Sequence, residues 1–183
     1  FPDQQSARSI AEAYIESGAD LIELGIPFSD PLADGPVIQA AGGASLAGGT
    51  TAIDVLGLAA EISGRVPIIL MVYVNTVLAN GYEQFVSAAK AAGVAGLIVP
   101  DLPHEESTEL REFADAAEIA LIPLVAPTTP PTRLAAIGAD ARGFVYVVSL
   151  TGTTGERNEL AHGVKELVAN VKQVSDVPVA VCF

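Results

Sequence analysis

Basic residues are scarce in this sequence: 9 lysines and arginines stand against 22 aspartates and glutamates, a formal net charge of −13. A surface so acidic repels phosphate backbones, so nucleic-acid binding is not expected. No block of like charges stands out, and the acidity reads as a solvated surface. Cysteine occurs once, as Cys182. An internal disulfide is therefore impossible, and a reducing compartment is compatible. No apolar run approaches the roughly 20 residues that span a bilayer, so no membrane role is expected. No G-x-G-x-x-G turn follows any strand-like run, which counts against dinucleotide binding. A G-x-S-x-G elbow and a Ser-His-Asp order are also missing. His104 and His162 have no cysteine or acidic partners at metal-ligand spacing. No metal site is expected, and both histidines are expected at exposed loops or helix ends.

What the sequence does hold is an alternation. Short apolar runs at 19–25, 67–73, 95–100, 120–126, 143–149 and 177–183 are β-branched or Leu-rich and bounded by Gly, Pro or Asp. Between them lie helix-like segments at 6–17, 52–62, 82–92, 105–117 and 163–174, with a shorter one at 130–137. Strands apolar along their whole length, alternating with helices, imply a parallel sheet covered by helices. In the first run Leu21, Glu23 and Gly25 share one side, and Ile22 and Leu24 the other. An acidic residue on the inward side near a strand's carboxyl end is the usual barrel-enzyme position. A TIM (β/α)8 barrel is therefore expected rather than an open doubly wound sheet. It is expected to be incomplete, with about six βα units where a barrel has eight. The 183 residues are expected to form one domain over 1–183, truncated at both ends. Glycine costs a helix about 1 kcal/mol relative to alanine. With glycines at 42, 43, 48 and 49, a helix starting at Pro36 is expected to be short or frayed.

The stretch from Glu23 to Pro36, E-L-G-I-P-F-S-D-P-L-A-D-G-P, is the most informative. A lone carboxylate among Leu21, Ile22 and Leu24 is costly unless solvated, paired or protonated. Desolvation would raise its pKa toward the range useful for proton transfer. A structural ion pair is the competing reading, and function is favoured in this context. Asp34 and Asp30 lie on the following loop, where Asp-Gly-Pro and Ser-Asp-Pro are ordinary turn chemistry. A strand-end Glu and a loop Asp can still meet over a barrel mouth, as an acid and a base with separated pKa values. A second stretch, Ser149 to Asn158, is rich in Thr and Gly and follows a strand-like run. It reads equally as a flexible linker or as a loop that folds over a ligand and offers backbone N–H groups to an anion. Tyr146 just before it is more often a core residue than a ligand contact.

The motif from Glu23 to Pro36 resembles the signature of tryptophan synthase α-subunits almost without change. The resemblance runs along the whole chain. Tyr73-Val74-Asn75 is similar to the end of that family's third strand, and Pro100-Asp101-Leu102-Pro103 with Glu105-Glu106 to the end of its fourth. Ala126-Pro127-Thr128 is similar to its fifth, and the residues from Gly143 to Gly155 to its sixth strand and closing loop. The resemblance implies a (β/α)8 barrel that cleaves indole-3-glycerol phosphate to indole and glyceraldehyde 3-phosphate without a cofactor of its own. It implies that Glu23 protonates indole C3 and helps remove the glycerol hydroxyl proton. Asp34 would accept the indole N–H and stabilise the developing positive charge. By the same resemblance Thr154 and Gly155 belong to the loop closing over substrate, with Gly155 near the phosphate and Tyr146 lining the pocket. Ala33, Met71, Ile98 and Val125 would form the apolar indole pocket. Asp30 and Pro31 would lie in the loop communicating with a partner, a PLP-dependent β-subunit in an α2β2 assembly. A cytoplasmic location follows from the same resemblance. The family's first strand and its glycine-rich phosphate loops after the seventh and eighth strands are expected to be missing. Three further readings stand beside this one: a stand-alone indole-releasing lyase, a truncated barrel that only binds a partner, and another phosphosugar barrel isomerase, which would not require both Glu23 and Asp34.

Overall fold

The computed structural model describes residues 3–148 and 163–182. In chain order its elements are α1 (Gln4–Glu16), β1 (Ile22–Gly25), α2 (Pro36–Ala47), α3 (Ala52–Ile62), β2 (Ile68–Met71), α4 (Val74–Asn80) and α5 (Tyr82–Ala91). There follow β3 (Val94–Ile98), a 3-10 turn (His104–Glu106), α6 (Thr108–Ala116), β4 (Ala120–Leu121), β5 (Leu124–Val125), α7 (Pro131–Asp140), β6 (Val145–Val148), α8 (Val164–Val174) and β7 (Val179–Cys182).

Every strand pair is parallel, in the orders β1-β2-β3-β4 and β5-β6-β7. β4 and β5 are the two halves of one apolar run, parted at Ile122-Pro123. Pro123 has no N–H to donate to a ladder, yet hydrogen bonding continues through the break. Ile122 N–H reaches Leu97 O at 2.8 Å, and Tyr146 N–H reaches Pro123 O at 2.9 Å. Each strand thus lies beside its predecessor in sequence, and the winding never reverses. A doubly wound sheet needs such a reversal and a barrel does not, so the barrel expectation is met as a partial barrel.

Side chains sort into two layers by the period-two alternation of strands. Inside, Ile69, Ile98 and Ile122 pack with Met71, Ala120, Leu124, Phe144 and Tyr146. Outside, Ile68, Leu70 and Leu97 meet Ile62, Val86 and Leu110 of the helices, while Val145 and Val147 meet Ile137, Leu167 and Val171. The interior is narrow at Gly96, where a Cβ would stand 2.8 Å from Ile122 Cδ1 and 3.0 Å from Ile69 Cδ1. Ile98, fully buried here, is worth about 2–5 kcal/mol against alanine.

Two expectations need correcting. α2 is neither short nor frayed at the glycines: its 12 residues run through Gly42 and Gly43. Pro36 sits at its first turn, the alanines and Leu46 are strong helix formers, and Ser45 is buried against the body. These outweigh the propensity cost of two glycines. The other two glycines end the helix instead. Gly49, at φ +86°, donates to Leu46 O at 2.9 Å, and Thr50 N–H reaches back to Ser45 O at 3.1 Å, a Schellman closure. His104 is not exposed either. Its side chain is 15% accessible and its Nε2 lies 3.4 Å from Asp140 Oδ2, because the 3-10 turn folds it toward α7. α4 was not anticipated at all.

Gly43 is exposed, and a Cβ there meets nothing within 4 Å. Gly43→Ala is expected to stabilise by up to about 1 kcal/mol, while Gly49→Ala forces a side chain into the left-handed region and destabilises by about 1 kcal/mol. Thermal denaturation of both variants checks this; a destabilised Gly43→Ala or a stabilised Gly49→Ala would contradict the account of α2.

Candidate active site

β1 presents Glu23 inward because its neighbours Ile22 and Leu24 are drawn into the helix-facing core. The Glu23 carboxyl accepts a hydrogen bond from the Tyr146 hydroxyl on β6. Tyr146 also engages the Cys182 thiol on β7. β1 and β6 are four steps apart in strand order, which in a flat sheet would separate them by about 19 Å. A direct side-chain bond between them requires the sheet to curl into a cylinder wall.

Asp34 comes to the same mouth from the loop after β1. Tyr73, at the end of β2, donates its hydroxyl to Asp34 Oδ2 at 3.0 Å and accepts the Ala33 N–H at 3.0 Å. Its ring stacks on Phe28 at 5.2 Å and 22°. Gln39 Nε2 holds the Asp34 carbonyl at 2.9 Å. Across the mouth, Asp101 Oδ1 accepts the Val74 N–H at 2.8 Å.

The electrostatics shift Glu23 toward its protonated form. Its side chain keeps solvent access, but the protein around the carboxyl strips away much of its hydration. That desolvation raises its pKa above the ordinary 4.5; the Tyr146 hydrogen bond pulls it down and the nearby Asp34 charge pushes it up. Burial, then the Glu23 charge, raises the Tyr146 phenol. Burial, with Asp34 beside it, pushes Tyr73 up to about 12. Both phenols are therefore hydrogen-bond donors at neutral pH.

A cavity of about 520 Å³ opens at this end of the strands, walled by Ala33, Asp34, Met71, Val125 and Tyr146 among the expected residues. Ile98 lies beneath it, fully buried with Ile69 and Ile122. Val125 packs mainly against Leu134 and Ile137 on the helix side. Asp30 is exposed and Pro31 half-buried on the loop; Pro31 O accepts the Asp34 N–H at 3.1 Å. Thr154, Gly155 and His162 lie outside the described residues. Asp101, His104 and Cys182 also line the cavity, and sequence reasoning gave none of them a role. Asp101 and Cys182, like Tyr73, stand at or just past strand carboxyl ends, the one signal that could have singled them out. Among the described residues, no group of three or more His, Cys, Asp or Glu could hold a metal ion.

Comparison with known proteins adds to this geometry. The family profile described as tryptophan synthase alpha chain matches residues 1–183. The tryptophan synthase alpha chain of Prochlorococcus marinus is 49% identical over 184 aligned residues, which cover 100% of this chain and 67% of that one. That of Methanopyrus kandleri is 50% identical over 182, covering 100% and 66%. The chain spans about two thirds of the length of these curated relatives. A structure of Mycobacterium tuberculosis tryptophan synthase superimposes with a TM-score of 0.93 at 41% identity, over 100% of this chain and 70% of its own. The tryptophan synthase a2b2 complex from Pyrococcus furiosus gives 0.92 at 40% identity, over 100% and 74%.

Carbon-13 NMR titration of the Glu23 carboxyl is expected to give a pKa above 4.5. Tyr146→Phe removes a bond that favours the charged form and should raise it further. Asp34→Asn removes a repelling charge and should lower it. A shift of either variant in the other direction would contradict the assignment of causes.

Proposed function

The chain belongs to the tryptophan synthase alpha chain family, and from that premise we propose that the protein cleaves indole-3-glycerol phosphate to indole and glyceraldehyde 3-phosphate. The observation that carries this reading is the meeting of Glu23 and Asp34 at one barrel mouth, with the Glu23 pKa raised partly by the Asp34 charge.

The chemistry asks for two carboxyl groups in different states. Glu23, acting in its protonated form, gives its proton to indole C3. The ring then carries positive charge centred on its nitrogen, and the Asp34 carboxylate accepts the N–H and stabilises it. The glycerol hydroxyl next to the ring loses its proton to Glu23, now a carboxylate. Its O–H electrons form the aldehyde C=O as the carbon–carbon bond breaks, and the bonding pair returns to the ring to restore indole. One proton enters and one leaves, so Glu23 finishes as it began. General acid–base assistance of this kind contributes about 10²–10⁴-fold. Met71 and the interior isoleucines below it suit the flat apolar indole. Thr154 and Gly155 complete the proposal as the loop covering the phosphate end. No cofactor is needed for these steps in this chain.

A β chain carrying PLP is the proposed partner, in an α2β2 assembly in the cytoplasm. Supporting it, large apolar side chains stand exposed around the same mouth. Leu32 is 76% accessible and Val37 72%, on the loop after β1 and the start of α2, and Leu78 on α4 is 51% accessible. Asp30 and Pro31 immediately precede Leu32, which fits their expected role in communication with the partner. No single helix among the described residues is long and apolar enough to cross a membrane.

In the full-length protein, Glu23→Gln is expected to abolish indole release from indole-3-glycerol phosphate while a non-cleavable indole alkyl phosphate still binds; wild-type turnover would refute the acid–base assignment. Leu32→Asp is expected to weaken association with the β chain at least tenfold, equivalent to about 1.4 kcal/mol, without changing the thermal midpoint. Unchanged affinity by analytical ultracentrifugation would remove this surface from the interface.

A further inference from the structure

We propose that Tyr73 and Asp101 form a positioning relay that sets Asp34 in its working orientation before substrate arrives. This deepens the reading of Asp34 given above and rests on it.

Three neighbouring strand ends are tied in series. Asp34 belongs to the loop after β1, Tyr73 to the end of β2, and Asp101 follows β3. The phenol of Tyr73 has one hydrogen and its oxygen already accepts the Ala33 N–H at 3.0 Å. Its hydrogen goes to Asp34 Oδ2, 3.0 Å away, so the direction of the bond is fixed by the arrangement. One side chain thus grips both the backbone and the carboxylate of the β1 loop. A carboxylate has about four lone-pair sites, and this bond uses one, leaving capacity for a ligand N–H.

Tyr73 is itself held at three points. It is buried, 3% accessible, and its ring stacks on Phe28. Its backbone is the N-terminal cap of α4 but supplies no side-chain cap bond. Asp101 Oδ1 supplies one from another strand, accepting the Val74 N–H at 2.8 Å. That N–H is one of the donors a helix start leaves unpaired. Asp101 therefore fixes the turn from which the Tyr73 side chain projects. Neither residue needs to touch the reacting atoms for this role. Its effect would be entropic and geometric: a loop carboxylate already aimed does not have to be ordered during the reaction.

The test uses the full-length protein with its β chain. Tyr73→Phe keeps the ring and the Phe28 stack and removes only the hydroxyl. It is expected to lower kcat for indole release about ten- to a hundredfold, with KM changed less than about threefold. In an Asp34→Ala background the same substitution is expected to do nothing further. Asp101→Ala should fall in the same direction, and Asp101→Asn, which keeps an oxygen acceptor for Val74, should restore most of the rate. Wild-type kcat in Tyr73→Phe, or a loss that multiplies in the Asp34→Ala background, overturns the relay. A second readout is independent of turnover. The ring-Cζ NMR signal of Tyr73 is assigned by its disappearance in Tyr73→Phe. The Tyr73 signal is expected to move in Asp34→Ala and in Asp101→Ala; no movement in either overturns the relay. If Asp34→Ala leaves indole release unchanged, the functional reading of Asp34 has failed, and the NMR result alone then upholds or overturns the relay.

Discussion

The Tyr146 hydroxyl reaches the Glu23 carboxyl from a strand four places away. That bond exists only if the sheet rolls up, and the rest of the site follows from the rolling. A cylinder of parallel strands points all its carboxyl ends one way, so loops far apart in sequence empty onto one rim. Asp34 after β1, Asp101 after β3 and Tyr146 on β6 thereby face one cavity. The roll is sustained by ordinary packing. Isoleucines from β2, β3 and the β4–β5 break fill the narrow axis, and the opposite faces of the same strands are buried by helices.

The same enclosure sets the chemistry of Glu23. Two effects push its pKa up, loss of hydration and the Asp34 charge, and one pulls it down, the Tyr146 bond; desolvation is the largest and the net direction is upward. The sign of the linkage follows. A carboxyl whose folded pKa lies above its unfolded one opposes folding when charged, so this contribution is absent below about pH 4.5 and grows as pH rises through the folded value. Such a disadvantage fits a residue kept for acid–base work rather than for structure. Asp34 is placed differently, since Tyr73 and the Ala33 backbone organise it as a hydrogen-bond acceptor.

The layered α/β plan was legible because strands buried on both faces must be apolar throughout, and helices must show a stripe. Glu23 was legible because it breaks that rule in the first strand. What could not be read has a physical reason in each case. Pro123 splits a strand by withholding a donor, yet its carbonyl keeps the neighbour in register. α2 survives Gly42 and Gly43 because Pro36 at its first turn, its alanines and Leu46, and a Schellman closure at Gly49 offset their cost, which a glycine count cannot weigh. Tyr73 and Asp101 act through bonds to groups 39 and 27 positions away, and such contacts leave no spacing pattern. Val125, by contrast, was legible: Ala120, Ile122 and Leu124 face inside and Leu121 and Val125 face the helices, so the period-two alternation runs unbroken through Pro123.

The most direct measurement is a crystal structure of the full-length protein with a non-cleavable indole alkyl phosphate. The account predicts the indole ring in the cavity at this rim, with a Glu23 carboxyl oxygen about 3–3.5 Å from ring C3 and Asp34 within hydrogen-bonding distance of the ring N–H. A ring bound elsewhere, or one touching neither carboxyl group, would contradict it.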